Sequence, residues 1–233
     1  MEFFIYLILY MRHFKIIFIV IASPSPFYNK NKLILDKFMN SHPNVKTLFI
    51  YGNVDKSQVL QTKHDLYFDC PENLRPGILI KTIKAFEHIK KNYRYNYVVR
   101  TNLSTFWNIR FILRKLKFFL NKRFLAGKPV KTKYGRFISG TGIILSKDLV
   151  NILIKNKNKL NYQIPDDVML SKYLHNNHKI KYYREPRCDK FIKRIPLNKR
   201  SIPRHFTSYR LKTKQNRNLD SYKIFKLWKF FYK

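Results

Sequence analysis

Acidic residues are scarce in this sequence. Across 233 residues, 13 Asp and Glu face 48 Lys and Arg, a net charge of +35, so any carboxylate chemistry rests on very few side chains. Cysteine is nearly absent: Cys70 and Cys188 could pair, but two thiols make no disulfide framework in a chain this long, and a reducing compartment suits them better. Glycine is thin too, at 6 residues, and neither common glycine-rich phosphate loop occurs. The 7 His and 2 Cys show no zinc spacing, and no Ser sits in a nucleophile elbow. Phosphate-loop enzymes, zinc modules and α/β-hydrolases are thereby set aside.

Long apolar runs are missing as well. A membrane-spanning helix needs ~20 apolar residues, whereas Arg12 and Lys15 separate Phe3–Tyr10 from Ile16–Ala22. The first residues carry Glu2 and no positive charge, unlike a signal peptide. Residues 1–12 therefore read as an N-terminal extension and 13–233 as one domain, with an uncleaved anchor the weaker reading. The expected location is cytoplasmic, with membrane association left open.

What is present is a folded, strongly basic chain. Hydrophobic residues make up 45% and aromatics 16%, enough for one substantial domain burying ~70% of its unfolded surface. The charge would attract nucleic acid, anionic lipid or phosphorylated substrates. It is spread along the chain, however, and a lysine-rich surface without a dedicated ligand explains it as well.

The hydrophobic pattern is that of a parallel α/β sheet. Ile16–Ala22 reads as a buried strand ending at Ser23-Pro24-Ser25-Pro26, Asn31–Met39 as a helix, and Val45–Tyr51 as a second strand. His64–Phe68 reads as a short strand, and Pro76 opens a helix to Lys91. Tyr95–Val99 is another apolar strand, running into Arg100-Thr101-Asn102-Leu103-Ser104. Ligands collect at the carboxyl ends of strands in such sheets, which marks Ser23–Pro26 and Thr101–Thr105. Phe137–Leu145 contains Ser139-Gly140-Thr141-Gly142, whose glycines permit close backbone approach or a turn. Pro165-Asp166-Asp167 opens a helix through Tyr173, where carboxylates also offset the helix dipole.

From Lys179 to Lys233 the chain carries 18 Lys and Arg against 3 acidic residues. Within it, Ile224, Leu227, Trp228 and Phe231 fall on one helical face between lysines. Such a helix could lie on a membrane surface, but packing that face on the sheet is the stronger reading.

The order of these pieces resembles the β-1,3-galactosyltransferase and fringe-like glycosyltransferases, whose two-half α/β fold is called GT-A. Asp69, Asn73-Leu74 and Lys81-Thr82 are similar to a family segment ahead of a helix. Val98–Phe106 resembles the strand leading into three aspartates and an aromatic, Phe137–Ser146 the acceptor-side strand, and Pro165–Val168 the acidic pair that carries the base. The resemblance spans Lys15 to about Tyr173. It implies a single GT-A-like domain, with a mixed, mostly parallel sheet flanked by helices and the basic C-terminal segment 179–233. It also implies a nucleotide-sugar donor, a UDP-sugar by preference, and a glycan, protein or lipid acceptor.

The chief departure falls on the metal motif, where this chain has Asn102-Leu103-Ser104. Mn²⁺ or Mg²⁺ prefers hard anionic oxygens, and Asn and Ser offer only neutral ones. The family often places a late His near the metal, and His205 falls in a suitable region. Breaking a sugar–phosphate bond leaves a diphosphate whose charge needs metal or fixed cations. Arg210, Lys212, Lys214 and Arg217 follow His205 and could supply them, though any single one reads equally as a solvated surface cation. The resemblance implies a donor site drawn from Ser23, Lys81, Arg100, Asn102, Ser104, Arg210 and Lys212. It implies an acceptor side at Ser139, Gly140, Thr141 and Gly142, with Asp167 as general base and Asp166 as its helper or an acceptor-hydroxyl ligand.

Two other readings compete. A basic α/β domain could grip nucleic acid by charge, with Tyr182, Tyr183, Phe191, Phe206 and Tyr209 stacking on bases, but no RNA-binding motif accompanies them. Alternatively, the missing metal acids could mark an inactive relative of the transferases.

Overall fold

The β-branched run Ile16–Ile21 has no polar side chain to turn toward water, so it belongs at the centre of a sheet covered on both faces. In the computed structural model, which describes residues 13–189, 202–213 and 217–233, it does so. Strand β1 (His13–Ile21) lies between β2 (Val45–Asn53) and β4 (Arg94–Asn102), parallel to both. β3 (Asp65–Pro71) extends the parallel set beyond β2. On the other side β7 (Gly135–Ser146) runs antiparallel to β4 and to β6 (Leu125–Thr132), and β8 (Tyr182–Arg184) closes the sheet parallel to β6. The strand order is β3-β2-β1-β4-β7-β6-β8, a mixed sheet with mostly parallel pairs.

A second, three-stranded sheet joins β5 (Thr105–Trp107), β10 (Ser208–Arg210) and β9 (Arg187–Cys188) in the order β5-β10-β9. Strands this short carry no periodicity, and sequence patterning does not reveal them. Their pairing sets Arg210 opposite Thr105 in antiparallel register.

Helices cover both faces. On one, Ile16, Phe18 and Val20 pack with Leu35 and Phe38 of α1 (Pro26–Met39) and with Ile224 and Leu227 of α6 (Arg217–Tyr232). On the other, Ile17 and Ile19 meet Leu79, Ile83 and Phe86 of α2 (Gly77–Asn92). Leu149 and Leu153 of α4 (Lys147–Lys155) and Leu170 and Leu174 of α5 (Asp166–His178) complete that layer. Helix α1 starts earlier than the apolar spacing predicts, because Pro26 occupies its first turn, where a fixed φ and a missing N–H cost nothing.

The terminal stripe packs inward as expected. Ile224 and Leu227 are fully buried, Phe231 lies 5.9 Å from Phe106 and Tyr232 lies 4.7 Å from Phe38. Each fully buried Ile or Leu contributes roughly 1.5–3 kcal/mol, enough to hold α6 against the domain. Helix α3 (Ile109–Lys115), capped by the Asn108 side chain, completes this side. Both cysteines are buried and form no disulfide. The apolar leader Phe3–Tyr10, Phe191 and Lys214 lie outside the described residues.

Candidate active site

The sheet reverses its winding between β1 and β4, since β2 and β3 lie on one side of β1 and β4 on the other. At such a switch point the two carboxyl ends splay apart and open a crevice. Ile21 is paired with Asn102 there, which sets the half-buried Ser23 loop beside the Asn102–Thr105 turn.

Beside this crevice lies a buried ion pair. Arg100, in β4, donates from Nε and Nη2 to the two carboxylate oxygens of Asp166, each at 2.7 Å. Its Nη1 donates to the Gly140 carbonyl on β7. Asp166 is 3% exposed. Burial pushes its pKa up from the ordinary carboxylate value, and the Arg100 guanidinium opposes that shift. A planar fork on a carboxylate is the geometry in which a buried arginine is best satisfied. Arg100 is therefore directed at Asp166 and Gly140. Asp166 gives both oxygens to Arg100 and is almost fully buried.

Asp167 behaves differently. It is partly exposed at the start of α5, with Oδ2 accepting from the Gly140 N–H at 2.8 Å and Oδ1 from the Val168 N–H at 3.0 Å. Two backbone donors fix the carboxylate, and each oxygen has a further lone pair to offer. Adjacent aspartates thus acquire a closed role and an open one.

The glycines of β7 also change meaning. A Cβ on Gly140 would lie 2.6 Å from Arg100 Nη1 and 2.9 Å from Asp167 Cβ. One on Gly142 would lie 2.7 Å from the Trp107 ring. The close approach at both positions is to the protein's own side chains, and neither glycine makes a turn. Alternating with them along β7, Ser139 Oγ and the Thr141 hydroxyl face Arg187 Nη1, at 3.1 Å for Ser139. Asp189 accepts from Arg187 Nε at 2.5 Å and also pairs with Lys128. Burial raises the Asp189 pKa, but the hydrogen bonds from Arg187 and Lys128 outweigh it and hold the carboxyl below its usual value. Arg187 has no sequence signal that separates it from its basic neighbours.

The Asn102–Ser104 turn holds an arginine. Arg210 Nη1 donates to Asn102 Oδ1 and to Ser104 Oγ, both at 2.8 Å, and to the Thr105 hydroxyl at 3.5 Å. Asn102 Oδ1 also accepts from the Ser104 N–H and hydroxyl at 3.2 Å, which shapes the turn locally. The register of β5 with β10 delivers Arg210 to this turn across more than a hundred residues of sequence.

These donors do not fit a hard divalent ion. The oxygens are neutral, and Asn102 Oδ1 and Ser104 Oγ already face a guanidinium. Among the described residues, no group of three or more His, Cys, Asp or Glu stands close enough to hold a metal. His205 is exposed and lies against the Phe206 ring at 4.3 Å.

Lys81 sits below the crevice with no exposed surface. It donates to Glu72 at 2.6 and 2.8 Å and to the Ala22 carbonyl at 3.0 Å, just before Ser23. Burial lowers its pKa and Glu72 opposes the shift. Glu72 also accepts from the Gly52 N–H at 2.6 Å, so this pair ties the ends of β1 and β2 together. Lys81 thus supports the loop that carries Ser23. Glu72, between the Asp69 and Asn73 noted above, is the partner that sequence reading missed. Lys212 is exposed just beyond β10, whereas Tyr209 is fully buried against Phe106 and Phe231, which removes it from any base-stacking surface.

The family model described as Galactosyltransferase matches residues 34–186. The crystal structure of a glycosyltransferase involved in the glycosylation of the major capsid of PBCV-1 is similar in fold. Its TM-score is 0.55, at 8% identity, covering 91% of this chain and 99% of that one. The glycosyltransferase GlyE of Streptococcus pneumoniae TIGR4 superposes less closely, with a TM-score of 0.47 at 12% identity over 92% of this chain and 63% of that one. No curated protein matches the sequence.

Proposed function

This chain belongs to the galactosyltransferase family, and from that membership we propose a specific reaction for it. It transfers a sugar from a nucleotide-sugar donor of the UDP class to an acceptor hydroxyl on a glycan, protein or lipid. The acceptor oxygen attacks the anomeric carbon as the bond from that carbon to the diphosphate oxygen breaks. The hydroxyl proton passes to Asp167, and the nucleoside diphosphate leaves with the bonding electrons. Arg210, held at Asn102 and Ser104, supplies positive charge to the departing diphosphate, with the exposed Lys212 close behind it in the chain.

The observation that carries this reading is the seating of Arg210 on Asn102 and Ser104. A guanidinium there offers a fork suited to phosphate oxygens at the turn where the resemblance calls for a metal motif. The partly exposed Asp167 carboxylate supports the other half of the chemistry, since a base must be both oriented and reachable.

Asp167→Asn keeps size and polarity but removes the proton acceptor. Transfer should fall ~10²–10⁴-fold, the usual cost of losing a general base. The start of α5 should lose only ~0.3–1 kcal/mol of dipole compensation. Transfer from a panel of nucleotide sugars, measured beside donor affinity and the unfolding midpoint, separates the two effects. A variant that transfers sugar at the parental rate removes Asp167 from the mechanism.

A further inference from the structure

The amino edge of the sheet, opposite the crevice, carries a second concave surface. Two adjoining cavities of about 600 and 570 Å³ share Lys15, Leu113 and Arg114. Arg110 and His42 line one of them, and His13 and Lys117 the other. Along β1, Lys15 in the cleft is separated from Ile21, at the strand's carboxyl end before the Ser23 loop, by roughly 20 Å, six residues at ~3.3 Å each.

The cleft is built from fixed parts. Arg110, Leu113 and Arg114 share one face of α3 by helical spacing. The Lys15 N–H donates to the Asn44 carbonyl at 2.8 Å, tying β1 to the loop that carries His42. The Tyr97 hydroxyl lies 3.4 Å from the Phe119 and Leu120 carbonyls and 3.3 Å from Asn121 Oδ1, which anchors the segment after Lys117.

Its charge is of one sign. Lys15, Arg110, Arg114 and Lys117 are all exposed, and no carboxylate lines either cavity. Among the described residues, none of the ion pairs involves these four cations. Next to Lys117, two large apolar side chains face water: Phe118 is 73% exposed and Leu120 48%. In sequence, the apolar run Phe3–Tyr10 ends just before His13, which lines this cleft.

We propose that this edge is a membrane-docking face. Its cations take the phosphate groups of anionic lipid headgroups, and Phe118 and Leu120 enter the interfacial layer. Clustered cations alone would suit any polyanion. Exposed apolar side chains beside them gain nothing on a nucleic-acid duplex but are stabilised at a bilayer surface, where cations also meet a negative potential. The docked chain would keep the crevice at the far edge of the sheet open to donor and acceptor.

Co-sedimentation of the full chain with phosphatidylcholine vesicles, with and without phosphatidylserine, tests this. Binding should be at least tenfold tighter to the anionic vesicles and should weaken with salt. The combined Arg110→Ala, Arg114→Ala and Lys117→Ala variant should lose roughly a hundredfold in binding, about fivefold per cation. The combined Lys131→Ala, Lys133→Ala and Arg136→Ala variant removes the same charge from the exposed β6–β7 hairpin and should stay within about threefold of the parent. Phe118→Ser should cost severalfold even at high salt. Unfolding midpoints verify the variants, and Arg114→Ala alone, with roughly a fivefold loss, serves if the triple variant does not fold. Equal losses in the two triple variants, equal binding to neutral vesicles, or retention on duplex RNA but not on vesicles would each overturn the proposal.

Discussion

Arg100 and Arg210 both reach the carboxyl edge of the sheet, but from different depths and toward different partners. Arg100 is 5% exposed and forks onto the buried Asp166 carboxylate. Arg210 is half-buried and donates to the amide oxygen of Asn102 and the hydroxyl of Ser104. A carboxylate cancels the charge it binds, so Arg100 and Asp166 together act as a rigid strut between β4 and α5. The oxygens of Asn102 and Ser104 are neutral, so these two contacts orient the Arg210 guanidinium without themselves cancelling its charge. Residue type alone therefore does not sort arginines into structural and functional ones; the acceptor each one meets does.

The largest expected effect comes from breaking the strut. Asp166→Ala would leave Arg100 charged and buried with its hydrogen bond to the Gly140 carbonyl but without its paired carboxylate, and losing one partner of a buried pair costs ~3–5 kcal/mol. The unfolding midpoint should drop by roughly 10 °C, measured by circular dichroism. A midpoint unchanged within error would mean that water replaces the carboxylate and that the strut is dispensable.

The second effect concerns Arg210. Arg210→Ala should weaken nucleoside-diphosphate binding by ~1.5–3 kcal/mol, the range for hydrogen bonds to charged groups, with a much smaller change in midpoint than Asp166→Ala. Calorimetry with UDP reads this directly. If the two variants exchange signatures, so that Arg210→Ala unfolds the chain and Asp166→Ala abolishes nucleotide binding, the comparison is inverted and the donor lies at the other arginine.

The smallest effect should be that of metal. With Asn102 and Ser104 facing a guanidinium, donor affinity should change by less than tenfold, ~1.4 kcal/mol, when Mn²⁺ is replaced by a chelator. A larger loss would show that an ion displaces Arg210 from the turn.

Much of this fold was legible in the residues. The apolar runs at Ile16, Val45 and Tyr95, broken at Ser23, Gly52 and Asn102, mark strands that end where a ligand can enter. The stripe of Ile224 and Leu227 marks a helix face that packs inward. The scarcity of acids drew attention to Asp166 and Asp167 before any geometry was known. Strand β6 escaped the sequence pattern, the short strands β5, β8, β9 and β10 were not legible because two or three residues carry no period, and Arg187 and Glu72 were missed for want of a local pattern.

The sequence by itself thus determined strands β1 to β4, their carboxyl-edge loops and the acidic pair, since hydrophobic periodicity and turn chemistry act over a few neighbouring residues. Only the tertiary structure decided what each charged residue does. It sent Arg100 to Asp166 through β4 and α5, Lys81 to Glu72 beneath the Ser23 loop, and Arg210 to Asn102 through the β5–β10 register. Those pairings join residues far apart in the chain, and their partners are set by strand register and burial, which local sequence does not encode.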